Sequence, residues 1–305
     1  MVLSRWRVFP SAPDLPGVPV TTRHVLVGLD GSPQSEAAAL WAADWAHRLA
    51  APLRLLHVWP WLSTHNMDRS RPGDPRPSAL DALTGVAERI RHARPGLVVE
   101  TALRADDPVD GLVAEARGQE MLVLGTRGLG GFAGLLVGSV SLAVAARAPI
   151  PTVLVREGTP ASGTGEVVVG LDAREPADAV LEFAFTAAGL RGTALHAVHG
   201  WDPSAAWAYG GLMPPLVDLP VQQDTETAVL TQHLSARRAK HPEVEVVVDA
   251  RLGGPASAVL EAATGAGLVV LGRREQRHPL GMRLGPVAHA VLHHCPVPVA
   301  VVPHA

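Results

Sequence analysis

Two clusters of small and polar residues have the composition of a phosphate-binding site. One is Asp30-Gly31-Ser32, which follows the apolar run HVLVGL. The other is GTRGLGGFAGLLVGSVS, which runs from Gly125 to Ser141. Glycines let the backbone approach an anion closely, and serine hydroxyls can donate hydrogen bonds to it. Arg127 adds a positive charge within the second cluster.

A helix N-terminus adjoins this second cluster. The predicted helix SVSLAVAARA begins at Ser139, directly after Gly138, so its unpaired N–H groups and its dipole face the glycines. The segment therefore predicts a phosphate cradle. It is not a Walker loop, because it lacks Gly-Lys-Ser/Thr and the only lysine is Lys240. It is not a dinucleotide fingerprint, because GLGGFA follows the fourth predicted strand and not the first.

The elements that position these clusters alternate between strands and helices. Apolar runs predict five strands in the first half of the chain, namely HVLVGL, LRLLHVW, LVVETAL, MLVLG and IPTVLV. The helix after the first strand is capped by Ser32 or Ser35, and its apolar stripe includes Leu40, Ala43 and Ala46. This alternation predicts a parallel sheet with helices on both faces. Ligands of such sheets bind where the strand order reverses, at the carboxyl ends of the strands.

The arrangement occurs twice along the chain. HVLVGLDGSPQ from His24 matches EVVVGLDAREP from Glu166 at an offset of 142 residues, and MLVLGTRG matches LVVLGRRE at an offset of 147. The five extra residues of the second copy belong in a surface loop. We therefore predict an α/β chain of two tandem Rossmann-like domains, each with a five-stranded parallel sheet. The predicted segments are a flexible tail at 1–20, a first domain at 21–156, a linker at 157–165 and a second domain at 166–305.

The motif of the first copy resembles the ATP-binding branch of the universal stress protein family. The family pattern is Gly, two residues, Gly, nine residues and Gly-Ser/Thr, and VGLDGS precedes it here. The resemblance covers both copies and implies that the first domain binds ATP together with Mg²⁺. It implies that Asp30 binds the ribose hydroxyls, that Gly28 and Leu124 flank the nucleoside, and that the Val58 backbone meets adenine. The phosphates would be held by Gly125, Gly128, Gly138, Ser139, Val140 and Ser141.

The second copy departs from this motif at the phosphate-binding positions. It keeps Gly170, Asp172, Gly272 and Gly285. Where the first copy has Val58, Gly128, Ser139 and Ser141, the second has Gly200, Glu275, Pro286 and Ala288. A carboxylate repels phosphate, proline lacks an N–H donor and alanine lacks a hydroxyl. We predict a degenerate second site, with a differently built anion site left open by Arg273, Arg274 and Arg277.

Composition excludes several classes of function. The formal net charge of −3 provides no basic surface field, so nucleic acid is not an expected partner. No apolar run reaches the ~20 residues of a membrane span, and Arg5, Arg7, Pro10 and Pro13 interrupt any signal-peptide core. Cys295 is the only cysteine, which excludes an intramolecular disulfide and indicates a reducing compartment. We therefore expect a cytoplasmic protein.

Histidines and tryptophans offer weaker signals. His289, His293, His294 and Cys295 allow either a metal site or a polar helix face beside a buried cysteine, and we favour the second, with no metal. The other histidines are expected mostly at the solvated surface. The tryptophans Trp41, Trp45, Trp59 and Trp61 are expected to pack in the core rather than to stack on a ligand.

Three classes of function remain open from the sequence. The chain is a nucleotide-binding regulatory sensor of the stress response, read by an unidentified protein partner, or a slow ATPase, or a scaffold with vestigial sites. The segment between Gly125 and Ser139 contains no Asp, Glu or His to act as a general base. We therefore favour the sensor and expect at most weak ATP hydrolysis.

The fifth strands of the two copies are predicted to pair within the chain. Both are apolar and lie at the edge of their sheets, and an unpaired apolar edge favours association. Members of the resembled family typically dimerise through this strand. Thr152–Val155 would pair with Val299–Val302, and any homodimer of the whole chain would then use helix or loop surfaces.

The substitution Val153→Asp tests this pairing. A buried carboxylate in the strand should separate the two domains or lower the melting temperature, because burying an unpaired charge is unfavourable. Small-angle scattering and thermal denaturation measure the two effects. The pairing prediction fails if the variant behaves as the wild type and separately expressed domains have no affinity for each other.

Overall fold

The computed structural model describes residues 23–59, 76–128, 136–161, 163–202, 218–275 and 284–305. The chain divides into two compact units, Met1–Ser162 and Gly163–Ala305. The predicted tail at 1–20 lies outside the described residues.

The first unit is a parallel sheet that alternates with helices, as the sequence predicts. Its strand order is β3-β2-β1-β4-β5, with every neighbouring pair parallel. The order therefore reverses between β1 and β4. The elements are β1 (Val25–Gly28), α1 (Pro33–Arg48), β2 (Leu53–Trp59), α2 (Arg76–Ala93), β3 (Val99–Ala105), α3 (Pro108–Ala116), β4 (Met121–Gly125), α4 (Ser139–Arg147) and β5 (Thr152–Val155).

The second unit repeats this topology. Its strand order is β8-β7-β6-β9-β10, again parallel throughout, so its reversal lies between β6 and β9. The elements are β6 (Val167–Gly170), α5 (Asp178–Arg191), β7 (Leu195–Trp201), α6 (Leu219–Lys240), β8 (Val246–Leu252), α7 (Pro255–Ala262), β9 (Leu268–Arg274), α8 (Pro286–His294) and β10 (Val299–His304).

The helices of each unit form two layers. In the first unit α1 packs with α2, and α3 packs with α4; in the second, α5 packs with α6 and α7 with α8. Crossovers between parallel strands are right-handed, so reversing the direction of strand addition moves the later helices to the opposite face. The central strands are covered on both faces, and β1 accordingly buries Val25, Leu26 and Val27.

Helix α1 begins at Pro33 because Ser32 caps it. The Ser32 hydroxyl accepts a hydrogen bond from the Ser35 amide at 3.2 Å, and proline suits the first helical position, where no N–H partner is needed. Of the two caps the sequence allows, Ser32 is the one used. The turn before it places Gly31 at φ 87°, in the left-handed region that favours glycine.

The buried face of α1 differs from the predicted stripe. Ala43 and Ala46 are buried as expected, but Leu40 is 38% exposed. The helix packs against β1, β4, β5 and α2, so its buried arc is wide and is filled instead by Trp41 and Trp45, whose rings stack with centroids 5.3 Å apart. The packing role predicted for these two tryptophans is confirmed, and Trp61 lies outside the described residues.

Candidate functional site

The two polar clusters of the first unit meet where its strand order reverses. Asp30 follows β1 and Gly128 follows β4, and these strands are neighbours in the sheet. The approach is so close that a Cβ atom added to Gly128 would collide with the Asp30 Oδ2 atom. A side chain at 128 would therefore displace the Asp30 carboxylate, which lies directly against the backbone of the second cluster.

The Asp30 carboxylate is held by the turn that starts α1. Its Oδ1 atom accepts hydrogen bonds from the Ser32 amide at 3.0 Å and from the Ser32 hydroxyl at 2.6 Å. The Asp30 amide donates to the Ser35 hydroxyl at 3.3 Å. These bonds leave Oδ2 directed at Gly128, where it occupies the space that a Cβ atom would need.

The two ends of the glycine-rich segment are joined by hydrogen bonds. The Gly138 amide donates to the Thr126 carbonyl at 2.7 Å. Gly125 packs so closely on the start of α1 that a Cβ atom there would lie 2.8 Å from the Gln34 carbonyl carbon. The glycine-rich segment therefore begins and ends at the same place, next to the carboxyl end of β4. Gly130, Gly131 and Gly134 lie outside the described residues.

The N-terminus of α4 lies at this point of return. The Leu142 amide makes the first intrahelical bond, to the Gly138 carbonyl at 3.0 Å, so the amides of residues 139–141 precede the helical ladder. Gly138 is the N-cap and makes no side-chain capping bond. Ser139 and Val140 are exposed. The helix thus presents backbone donors and one exposed hydroxyl beside the glycine-rich segment.

Ser141 has a different position from the one the sequence suggests. Its side chain is buried, and its hydroxyl donates to the Gly125 carbonyl at 2.7 Å. The hydroxyl proton of Ser141 is used in that bond, so Ser141 links α4 to the end of β4. The exposed hydroxyl at the start of α4 is that of Ser139. Arg127 lies two residues after Gly125, and its carbonyl oxygen is 3.4 Å from the Ser32 hydroxyl.

The other side of the site is formed by β1, β2 and α3. A Cβ atom on Gly28 would collide with the Leu124 side chain and lie 3.0 Å from Leu112, so glycine permits this packing. At the end of β2, the Val58 side chain packs on Gly111 of α3, where an added Cβ would lie 2.7 Å from Val58 Cγ1. Gly28 and Leu124 are therefore in contact, and Val58 packs nearby on α3; their roles toward a nucleotide stay predictions.

His57 is a buried residue that the sequence analysis left among surface histidines. It is 7% exposed, and its Nδ1 atom lies 2.6 Å from the Leu29 carbonyl, just before Asp30. Burial lowers the pKa of His57, although the bond to Leu29 and the charge of Asp30 oppose that shift. The repeat could have identified it, because His199 in the second unit lies 3.0 Å from the Leu171 carbonyl at the same spacing of 28 residues.

The second unit builds its counterpart of the glycine-rich segment differently. Strand β9 continues to Arg274, pairing Arg273 with Pro303 and Arg274 with His304 of β10, whereas β4 ends at Gly125. The Glu275 amide then donates to the His304 carbonyl at 2.7 Å. The chain at Glu275 is thus bonded to β10, while the equivalent Gly128 lies against Asp30. Strand extension adds to the substitutions in making the two sites unlike.

A cavity of about 820 Å³ lies at the strand reversal of the second unit. Its walls include all of the second-site residues of the sequence analysis except Glu275 and Arg277, namely Gly170, Asp172, Gly200, Gly272, Arg273, Arg274, Gly285, Pro286 and Ala288. Arg274 forms an ion pair with Glu175, and Asp172 accepts a bond from the Arg174 amide at 3.0 Å. Arg277 lies outside the described residues.

Two of the three histidines of α8, His289 and His293, lie together on one helix face. The rings of His289 and His293 are 4.6 Å apart, and Cys295 is buried just beyond the helix. Across the ranges that the structure describes, no three His, Cys, Asp or Glu side chains converge as metal ligands would. Over the same ranges, no helix has the length and apolar content needed to span a membrane.

Comparison with known proteins gives a consistent result. A sequence model described as the universal stress protein family matches residues 21–156 and again 164–303. A universal stress protein of Mycolicibacterium smegmatis is 30% identical over 295 residues, covering 92% of this chain and 97% of that protein. One from Mycobacterium tuberculosis is 32% identical over 290 residues, covering 91% and 96%.

Solved structures agree on the fold. The crystal structure of a universal stress protein from Archaeoglobus fulgidus matches with a TM-score of 0.69 and 23% identity, covering 93% of this chain and 99% of that one. A functionally unknown protein from Pseudomonas aeruginosa matches with a TM-score of 0.60 and 14% identity, covering 93% of each chain.

The buried His57 predicts an acid-sensitive stability. Its folded-state pKa lies below the ordinary 6.5, so the unfolded chain binds a proton first, and the free energy of unfolding should fall as pH drops below 6.5. Denaturant titrations at pH 7.5 and at lower pH measure this. His57→Gln should lose less stability on acidification than the wild type. His47→Gln, at an exposed position of α1, should lose as much as the wild type. Equal losses in all three proteins would contradict the assignment.

Proposed function

The chain belongs to the universal stress protein family, and from that premise we propose that its first unit is a regulatory ATP-binding module. The main support for the proposal is that the Asp30 carboxylate contacts the Gly128 backbone close to the N-terminus of α4. Backbone N–H groups can bind the phosphates at one end of a nucleotide. The fixed carboxylate beside them can bind the hydroxyls of its ribose.

The phosphates would lie at the N-terminus of α4. The amides of Ser139 and Val140 precede the first helical bond, and the helix dipole favours negative charge there. The exposed Ser139 hydroxyl and the Arg127 guanidinium add a donor and a positive charge. Gly125 permits the close packing on the start of α1, and Gly128 permits the close approach of Asp30. The Ser141 hydroxyl acts indirectly, by holding the Gly125 carbonyl.

The nucleoside would extend from there toward β2. Asp30 is an acceptor, so it would take hydrogen bonds from the ribose hydroxyls and not from phosphate oxygens. Gly28 and Leu124 flank the same side, and the Val58 backbone lies farther along at the end of β2. The proposed Mg²⁺ fits as an ion that arrives with the nucleotide, because these segments offer mainly N–H and hydroxyl donors, and Mg²⁺ is often held largely by phosphates and water.

Regulation by binding is favoured over rapid hydrolysis. The glycine-rich segment contains no Asp, Glu or His. Asp30 Oδ1 already accepts two hydrogen bonds, and His57 Nδ1 is bonded to the Leu29 carbonyl. Asp30 is assigned here to the ribose hydroxyls, and His57 is only 7% exposed, so neither is placed to activate a water at the phosphates. We propose that the bound state is read by a protein partner in a stress response, with slow ATP hydrolysis as the second candidate.

Calorimetric titration with MgATP tests occupancy. We expect about one ATP per chain, because the second unit has Pro286 at the first position of α8 and holds Glu275 against β10. Two equal sites per chain would contradict the proposal. No binding would select the scaffold with vestigial sites, and sustained phosphate release at saturating ATP would select the ATPase.

The substitution Gly128→Glu tests the cradle. The new side chain would collide with Asp30 and bring a second carboxylate to the phosphates, so MgATP binding should be lost. Asp30→Ala should weaken binding by about 1.5–3 kcal/mol, a roughly ten- to hundredfold rise in Kd. Gly85→Glu adds the same charge on α2, where an added Cβ meets only the tip of Arg89, and should bind as the wild type does. Wild-type affinity in Gly128→Glu would show that the phosphates bind elsewhere.

A further inference from the structure

The hydrogen-bond ladder between β1 and β2 ends at Leu29 with a side chain in place of a backbone donor. The Leu29 amide donates to the Leu56 carbonyl at 2.9 Å. In a parallel pair, the next bond of this series would run from the Val58 amide to the Leu29 carbonyl. Across the part of the chain that the structure describes, that bond is absent, and His57 Nδ1 lies 2.6 Å from the same carbonyl.

The His57 ring is held in one orientation and one tautomer. A carbonyl oxygen only accepts hydrogen bonds, so the Nδ1 atom of His57 carries the proton in its contact with Leu29. The Nε2 atom is buried and has no hydrogen-bond partner among the described residues. Burial lowers the pKa of His57, which keeps the imidazole neutral at neutral pH. The ring also lies against that of Trp59, with centroids 5.3 Å apart.

The backbone of Val58 is left outside the ladder by this contact. Every second residue of a strand directs its N–H and C=O groups to the same neighbour, so Val58 directs them as Leu56 does, toward β1. The chain beyond β1 turns away at Gly31, with φ 87°, and enters α1. The Val58 side chain packs on Gly111 of α3, which fixes this end of β2. One donor and one acceptor of the same residue therefore face the space beyond the end of β1.

The second unit repeats the histidine contact in different surroundings. His199 Nδ1 lies 3.0 Å from the Leu171 carbonyl, and the Ala173 amide lies 3.4 Å from the same nitrogen. At Gly200, one residue later, an added Cβ would lie 2.6 Å from the Pro255 Cα atom. The start of α7 therefore lies against the backbone here, whereas in the first unit a valine side chain stands between the strand end and α3.

We propose that His57 is a positioning residue of the first cleft, which takes the Leu29 carbonyl so that the backbone N–H and C=O of Val58 stay available to a nucleobase. The inference rests on the proposed function for the identity of the ligand, because an adenine edge with an acceptor and an amino donor can bond to such a pair. Since Leu29 directly precedes Asp30, the same contact also holds the turn that carries the proposed ribose acceptor. His57 acts through these groups and not on the nucleotide itself.

Nuclear magnetic resonance of the ligand-free chain tests the contact directly. We expect the imidazole nitrogen shifts of His57 to report a proton on Nδ1 and none on Nε2. The Val58 amide should exchange with solvent about tenfold faster than the Leu56 amide, because it lacks a ladder bond. Saturation with MgATP should slow the Val58 amide. A proton on Nε2, or equal exchange of the two amides, overturns the inference.

The substitution His57→Leu removes the donor and keeps an apolar side chain in its place. The Leu29 carbonyl should then accept from the Val58 amide, so MgATP affinity should fall about tenfold and the Val58 amide should exchange more slowly. His57→Asn should keep near wild-type affinity, because its Nδ2 atom takes the position of the imidazole Nδ1 atom. His47→Leu, at an exposed position of α1, should bind as the wild type does. Calorimetric titration measures the affinities.

The outcomes separate this inference from the proposed function. A wild-type chain that fails to bind MgATP overturns the proposed function, and the tautomer and exchange measurements then decide whether His57 withholds Leu29 from Val58. The inference alone is overturned if MgATP binds and folded His57→Leu binds it as the wild type does. It is also overturned if His57→Asn loses as much affinity as His57→Leu, because a shared loss reports ring packing. If circular dichroism shows His57→Leu to be unfolded, the wild-type measurements decide.

Discussion

The contact between the Asp30 carboxylate and the Gly128 backbone is the constraint on which the first cleft depends. It exists because parallel strands with reversed order bring the carboxyl ends of β1 and β4 side by side, and because residue 128 has no Cβ atom. The bonds from Ser32 to Asp30, from Gly138 to Thr126 and from Ser141 to Gly125 then hold the two clusters in place. The N-terminus of α4 is positioned by the same bonds.

The second unit shows what happens when that contact is absent. Two more residues of β9 stay in the sheet, Glu275 bonds to β10, and an open cavity lies at the strand reversal. The two clefts therefore differ both in where the strand ends and in the side chains that follow it. The duplicated fold keeps its strand order while the sequence beyond the fourth strand of each copy diverges.

The histidine bonds form part of the frame common to both units. Each joins the end of the second strand to the residue just before the aspartate that follows the first strand. An imidazole nitrogen can donate to a backbone carbonyl, and this contact ties the second strand to the end of the first. The same contact therefore occurs in two clefts whose remaining chemistry differs: the first has glycine-rich backbone at the end of β4, and the second has Arg273 and Arg274 within an extended β9.

The sequence by itself determined the features that depend on local order: the duplication, the alternation of strands and helices, a serine cap at Ser32 or Ser35, and the spacing of Gly125, Gly128 and Gly138. These follow from hydrophobic periodicity and from residues whose backbone preferences act within a few positions. Only the tertiary structure decided which way side chains turn and which distant segments meet. It exposed Leu40, buried His57, turned Ser141 toward Gly125, and brought Glu226 from α6 to His199 on β7. Such outcomes depend on packing between elements far apart in the chain, which no local pattern encodes.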